Sequence, residues 1–485
     1  MQNSEYTALP AITSQQDAIM FAKIKTSLQL FRQALVGSAT INYTQGSIGR
    51  ATFLLSVPMI LEMAMESVFA IVDIFFVAGL GAEAVATVGL TEAVISLLYA
   101  VAIGLSMAAT ALVARRIGEQ NPAAAAIAAG QALWLGLIVS LLVGVAGFLF
   151  AERILLLMGA SQSVVDTGAG YTRIMFSGAF TIVFLFLNNA IFRGAGDASI
   201  AMRALIIANG INIVLDPCLI YGWGPFPEMG ITGAAVATNI GRGAGIAYQV
   251  YYLCANNRRI QLKLKDLVLR LATVWQLCRI SVGGIAQYLI ATASWVFLMR
   301  LVSMHSAEAV AGYTIAIRVI LFVILPSWGL SNAVATLVGQ NLGAGQPQRA
   351  EDTVWQVARY NLFYMGTVAL LLIAFPAWVM SFFSEDPLVI SNGVQSLRIL
   401  SYGFVFLAIG SVVTQAFNGA GDTMTPTWMN ILAFWVLQIP LAWTLSGFMG
   451  WGPEGVYWSV FIADAAMSLL ATLVFLRGGW KLRYV

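Results

Sequence analysis

The chain has 485 residues, 59% apolar and only 10% charged, too little charge to cover a water-soluble protein of this size. A single histidine and three cysteines without a CxxC pair leave no ligand set for zinc, haem or an iron–sulfur cluster, and a formal charge of +3 is too small to point to nucleic acid. What remains is an all-α polytopic membrane protein without a cofactor.

Residues 1–49 are polar or mixed and lack the compact apolar core and cleavage site of a signal peptide, so they read as a cytoplasmic N-terminal tail. Within them Ile24, Leu28, Phe31 and Leu35 share one helical face beside Lys23, Lys25 and Arg32, the pattern of a helix lying on a membrane surface. Twelve membrane-length apolar segments follow, near 52–78, 85–113, 123–151, 163–191, 198–222, 231–255, 273–302, 309–339, 353–381, 389–417, 424–448 and 455–477. Arg115, Arg116, Arg258, Arg259, Lys263, Lys265, Arg349, Arg477, Lys481 and Arg483 cluster on one set of loops and ends. The positive-inside bias then puts both termini in the cytoplasm of a multi-pass plasma (inner) membrane protein.

The chain repeats itself at a constant offset of 225 residues: GAEAVA from 81 returns as SAEAVA from 306, GLS from 104 at 329, and GAGD from 194 at 419. Gly118 and Pro122 meet Gly343 and Pro347 at the same offset. The spans therefore form two pseudo-symmetric six-helix lobes, an N-lobe over 50–255 and a C-lobe over 272–478, with a cytoplasmic linker at 256–271 and a tail at 479–485. Six is even, so both halves enter from the same side, as in the parallel repeats of alternating-access transporters.

Polar residues present in only one half mark specialisation. Glu62, Glu66 and Asp73 interrupt the first span, whereas their repeat partners are Gln287, Ala291 and Leu298. At 100° per residue the three acids lie within about 40° of one another, one stripe that should face the protein interior rather than lipid. Asp73, Asp216 and Thr238 fall at similar depths toward the outer ends of spans one, five and six, with Asn212 one turn before Asp216. Two close carboxylates in low dielectric resist joint ionisation, so such a group takes up a proton or a cation, Na⁺ at Asp73, Asn212, Asp216 and Thr238 being the metal that fits the oxygen shell. The C-lobe offers Gln287, Tyr288, Trp295, Trp328, Gln415 and Trp435 as a lining for flat apolar ligands, against the plainer reading of helix packing.

The GAGD sequences also suit an intramembrane aspartyl protease of the GxGD type, but each sits at a turn before a helix, where Gly makes the turn and Asp197 or Asp422 caps the helix. No GK[ST] follows a Gly-rich loop, which argues against nucleotide hydrolysis and for an ion gradient as energy source.

VDIFFVAGLGAEAVATVGL, FRGAGD, NIVLDPCLIYG, GITGAAVATNIGR, GLSNAVATLVGQNLGAGQPQRA and FNGAGDTMTP together resemble the multidrug and toxic compound extrusion (MATE) family. The resemblance implies an efflux antiporter, not an enzyme, that exchanges H⁺ or Na⁺ for small cationic, often aromatic, compounds. For the branch with its cation site in the N-lobe it implies coupling at Asp73, Asn189, Asn212, Asp216 and Thr238. Ala291, with Gln287 and Tyr288 nearby, departs from the branch that uses an acid in the seventh helix. Glu62 and Glu66 lie outside that signature and are assigned, with Gln287 and Tyr288, to a substrate or proton path. A lipid-linked precursor flippase is the alternative on the same scaffold, disfavoured because it needs a cationic groove. Each chain holds both lobes, so a monomer in membrane lipid is expected.

Overall fold

The computed structural model describes residues 15–37, 41–255 and 259–483. The predicted N-terminal helix is α1, Gln15–Val36, with Leu28 and Phe31 exposed and Ala34 packed against the bundle. Ile24 and Lys23, also part of the predicted face, have side chains outside the described residues. The N-lobe follows as α2 (Ile48–Ala78), α3 (Ala82–Gly118), α4 (Pro122–Leu157), α5 (Gln162–Ser177), α6 (Ala179–Ala195), α7 (Ala198–Tyr221) and α8 (Ile231–Cys254). The C-lobe comprises α9 (Leu271–Ser303), α10 (Ala307–Gly343), α11 (Pro347–Ala374), α12 (Pro376–Ser381), α13 (Pro387–Tyr402), α14 (Phe404–Gly419), α15 (Met424–Asn430), α16 (Ile439–Trp443) and α17 (Pro453–Leu476). Between α15 and Phe448 two stretches, Ile431–Gln438 and Thr444–Phe448, are wound as π-helix.

Among the described residues nine helices or continuous pairs are long and apolar enough to cross a bilayer, and α13 with α14, bent by 51° at Gly403, makes ten. Helices α2 and α8, which carry Glu62, Glu66 and Asp73 and Thr238, Arg242 and Gln249 respectively, complete twelve. Local chemistry sets the boundaries. Asn121 accepts from the Ala124 backbone N–H at 3.0 Å with Pro122 as the first residue of α4, and Asp386 does the same for α13 ahead of Pro387. Leu141, Leu142 and Leu149 on α4 stay exposed because their solvent is hydrocarbon.

The lobes meet through glycines, and the contacts obey the repeat. A Cβ on Gly104 of α3 would lie 2.5 Å from Ile285 of α9, and one on Gly329 of α10 would lie 2.7 Å from Ile60 of α2, the 225-residue equivalents of the same pair. Within the lobes Gly194 faces Thr110 and Gly419 faces Ala335, again equivalent pairs. At the ends that share a side with the termini, Gly118 and Gly343 let the backbones of α3 and α10 touch, where a Cβ would stand 2.1 Å from the Gln340 carbonyl and 2.2 Å from that of Arg115. Hydrogen bonds between the two halves cluster at this side: Thr336 to the Arg193 carbonyl, Gln340 to the Gly194 carbonyl, Arg349 to the carbonyls of Tyr43 and Gln45, and Arg115 to the Arg483 carbonyl. The molecule is sealed on the terminal side.

The inter-lobe connection is clamped to α4. Gln131 donates to the Val268 carbonyl at 3.0 Å and accepts from the Arg270 N–H at 2.9 Å, while Trp134 donates to the Leu267 carbonyl at 2.8 Å. The GAGD turns have Gly196 and Gly421 in the left-handed region, φ 84° and 82°, as expected of turn glycines. The capping expectation holds in part. Asp422 accepts from the Thr425 N–H at 3.3 Å, whereas Asp197 stands at the N-cap of α7 but accepts from the Ser199 hydroxyl and makes no side-chain capping bond to the helix amides.

Candidate functional site

The N-lobe contains a ladder of charges built from five helices. Closest to the terminal side, Glu62 of α2 is 1% exposed and accepts from Arg193 of α6 at 2.9 Å. Glu66, one turn on, lies in the fields of both Arg193 and Arg242 of α8. Next come Asp73 of α2 and Glu92 of α3, which act on each other and on Arg242. Arg242 is held by donating to the Tyr99 hydroxyl at 3.0 Å and by lying over the Phe69 ring at 5.2 Å.

Asp216 of α7 stands at the far end. Asn212 and Asp216 are one turn apart and both fully buried; the Asn212 amide donates to Asp216 at 3.0 Å and, more weakly, to Thr238 of α8 at 3.4 Å. Their other atoms, Asp216 Oδ2 and Asn212 Oδ1, have no protein partner. Asp73 lies within electrostatic reach of Asp216 and has no hydrogen bond or ion pair to a described residue. Close packing sustains the cluster: a Cβ on Gly241 would sit 2.5 Å from the Ala208 carbonyl and 3.3 Å from the Asn212 side chain, so glycine brings α8 against α7.

Three of the five predicted coupling positions, Asn212, Asp216 and Thr238, meet through hydrogen bonds, and Asp73 lies within electrostatic reach of Asp216. Asn189 does not join them. It accepts from Gln249, eleven residues along α8 from Thr238, about 16 Å of helix away. Its neighbour Asn188 is fully buried with both amide atoms unpartnered. Arg242 and Glu92 were not singled out in the sequence, although both break apolar helical runs, and Arg242 adds a membrane-embedded cation to the N-lobe.

A family model, MatE, matches residues 58–218 and 280–444, one copy in each half. The chain belongs to the MatE family. It is a multi-pass membrane transporter, not an enzyme. Among similar MatE proteins, a probable multidrug resistance protein NorM of Thermotoga maritima is 28% identical over 89% of this chain and 93% of its own. An FAD transporter of Shewanella oneidensis is 28% identical over 87% and 93%. A solved multidrug-resistance MATE transporter of the MOP superfamily, in an outward-facing conformation, superposes with a TM-score of 0.85 at 26% identity over 92% of this chain and 99% of that one.

The MatE duplication also explains Glu62 and Gln287, both expected on a path. The Glu62–Arg193 ion pair is the repeat equivalent of Gln287–Asn418, where the Gln287 amide donates to Asn418 at 3.1 Å and to the Thr423 carbonyl at 2.8 Å. Both pairs join the first helix of a lobe to its fourth span. One is charged and the other neutral, and each ties the first helix of its lobe to the fourth span. Glu66 has no such partner among the described residues and keeps its place in the ladder between Arg193 and Arg242. Tyr288 and Gln287 line a C-lobe cavity of about 290 Å³ together with Trp328 and Gln415, whereas Trp435 packs outside it, donating to the Ile290 carbonyl. The GxGD protease reading fails with the family assignment, and its two aspartates sit in different lobes, Asp197 with Ser199 and Asp422 with Thr425 and Arg483.

Proposed function

We propose that this protein is a secondary active multidrug efflux antiporter of the plasma membrane that exports small cationic amphipathic or aromatic compounds in exchange for H⁺ or Na⁺, with both termini cytoplasmic. The observation that carries the reading is the buried Asn212, Asp216 and Thr238 group with Asp73 in its field and one oxygen each on Asp216 and Asn212 left without a protein partner. Two carboxylates in a low-dielectric lobe repel each other until a proton or small cation joins them.

Cation entry from outside neutralises the pair and weakens the hold on an organic cation, which leaves. Inward return of the coupling cation restores the charge and the affinity. This cycle needs only different affinities in two states of the lobes. With the terminal side cytoplasmic, the seal at Gly118 and Gly343 makes the observed state the one that accepts the coupling ion from outside. The names of the multidrug relatives support the cargo class, as does the sign of the lobe: Glu62, Glu66, Asp73, Glu92 and Asp216 against Arg193 and Arg242 leave a formal surplus of three negative charges. That sign disfavours the pyrophosphate of a lipid-linked precursor despite Arg242.

The test is efflux of a fluorescent cation from proteoliposomes under an imposed pH gradient or, separately, a Na⁺ gradient, in wild type, Asp73→Asn and Asp216→Asn. Transport driven by one gradient and lost in both variants supports the reading. No gradient-driven movement of any cation by the wild type overturns it.

A further inference from the structure

The cavity in the C-lobe holds an acid that neither the coupling site nor the Glu62–Arg193 and Gln287–Asn418 pairs account for. Asp464 lies at the middle of α17, twelve residues into a helix of 24, and so near mid-membrane. It lines the cavity and has no hydrogen bond or ion pair to a described residue. An ionisable group at that depth faces an interior or a partner, and its default explanation is functional.

The repeat shows what the position does when it is structural. At the 225-residue offset Asp464 corresponds to Asn239 of α8, and the break at Gly403 between α13 and α14 corresponds to Gly178 between α5 and α6. In the N-lobe Asn239 knits that break: its amide donates to the Ile174 carbonyl at 3.1 Å and accepts from the Thr181 hydroxyl at 2.9 Å. In the C-lobe both partnerships are gone. A carboxylate cannot donate to the carbonyl of Ile399, and Thr181 is replaced by Phe406, which turns to the cavity instead. One Asp464 oxygen lies 3.5 Å from where a Cβ on Gly403 would be, so glycine there leaves the carboxylate room beside the bend.

Around the acid the cavity is lined by Tyr288, Trp328, Phe406 and Phe434 and by Gln415 and Asn430, with Met107 of α3 from the other lobe. Asn430 and Phe434 belong to the stretch where the eleventh span changes to π-helix, a winding often found at functional sites. From this we infer that the C-lobe cavity is an organic-cation site, in which Asp464 pairs with the positive nitrogen of a small flat aromatic cation and the four rings hold its π-system. The site rests on the antiport reading and deepens it: the coupling cation has the N-lobe and the cargo has Asp464, with Met107 joining the two lobes at the cavity wall.

The experiment is binding to purified full-length protein of N-methylquinolinium, and of quinoline, which has the same ring system but is neutral at pH 7.5, by equilibrium dialysis. The expected result is that Asp464→Asn weakens N-methylquinolinium by about tenfold or more and leaves quinoline within about twofold, while Asp464→Glu retains cation binding. A thermal melt of each variant checks that it is folded. Equal N-methylquinolinium affinity in wild type and Asp464→Asn, equal loss of both ligands, or no binding of the cation by wild type each overturns the inference. Gradient-driven efflux that survives Asp464→Asn but not Asp73→Asn leaves the antiporter intact and removes only this site, whereas absence of wild-type efflux removes the antiport reading itself.

Discussion

Asp216 is gripped through one oxygen by Asn212, and the other has no protein partner, so an amide there keeps the shape and removes the charge that a coupling cation would meet. We expect Asp216→Asn to slow gradient-driven efflux by about tenfold or more while its melting temperature stays near that of wild type, since no ion pair is broken. Wild-type efflux by a folded Asp216→Asn protein would place coupling elsewhere. Glu62 gives the opposite expectation. Removing one partner of a buried pair costs about 3–5 kcal/mol because the other charge is stranded. Glu62→Gln alone should therefore lower the melting temperature in detergent. Joined with Arg193→Asn, which copies the neutral Gln287–Asn418 pair of the C-lobe, it should regain most of the loss. A double variant no more stable than the single one would show that Glu62 does more than brace.

At the scale of helices, the contact of α3 with α10 depends on two glycines whose Cβ positions are already occupied by backbone at 2.1 and 2.2 Å. Backbone cannot yield as a side chain can, so Gly343→Val should favour the state in which these ends part. Spin labels on Glu119 and Gln346 should then report a longer mean distance than in wild type, and an unchanged distribution would mean that the seal lies elsewhere. The connecting segment makes a milder case. Gln131 ties it to α4 through both the N–H and the C=O of its side-chain amide, and Gln131→Ala should speed protease cleavage within 259–270 without altering the melt of the bundle.

For the whole molecule, alternating access requires the sealed side to open once per cycle. Ala114 and Gly339 face each other across the lobes, with a Cβ on Gly339 lying 2.7 Å from that of Ala114. In a protein without Cys218, Cys254 and Cys278, cysteines at 119 and 346, joined by a short cleavable thiol-reactive cross-linker, should stop efflux until the linker is cleaved. Undiminished transport by the cross-linked protein would rule out opening at this side.

Much of this was written in the chain itself. Span lengths follow from apolar runs that a bilayer must accept, and the constant offset of GAEAVA, GLS and GAGD fixed two lobes of one design because duplicated segments solve the same packing problem. The stripe of Glu62, Glu66 and Asp73 was legible from helical geometry, and so was its interior orientation, since lipid offers acids no partner. What each polar residue does there was not legible. The partner of Glu62 emerged only when α6 brought Arg193 within 2.9 Å, Asn189 was drawn to Gln249 rather than Asp216, and Arg242 entered the acid ladder from a helix on which only Thr238 had been singled out. Asp464 was not singled out by its sequence, and its equivalence to a fully bonded Asn239 showed it without those bonds. Periodicity determines which face of a helix is buried, but the partner on the facing helix depends on crossing geometry and on glycines that set how closely two backbones approach, and only the assembled bundle decides those.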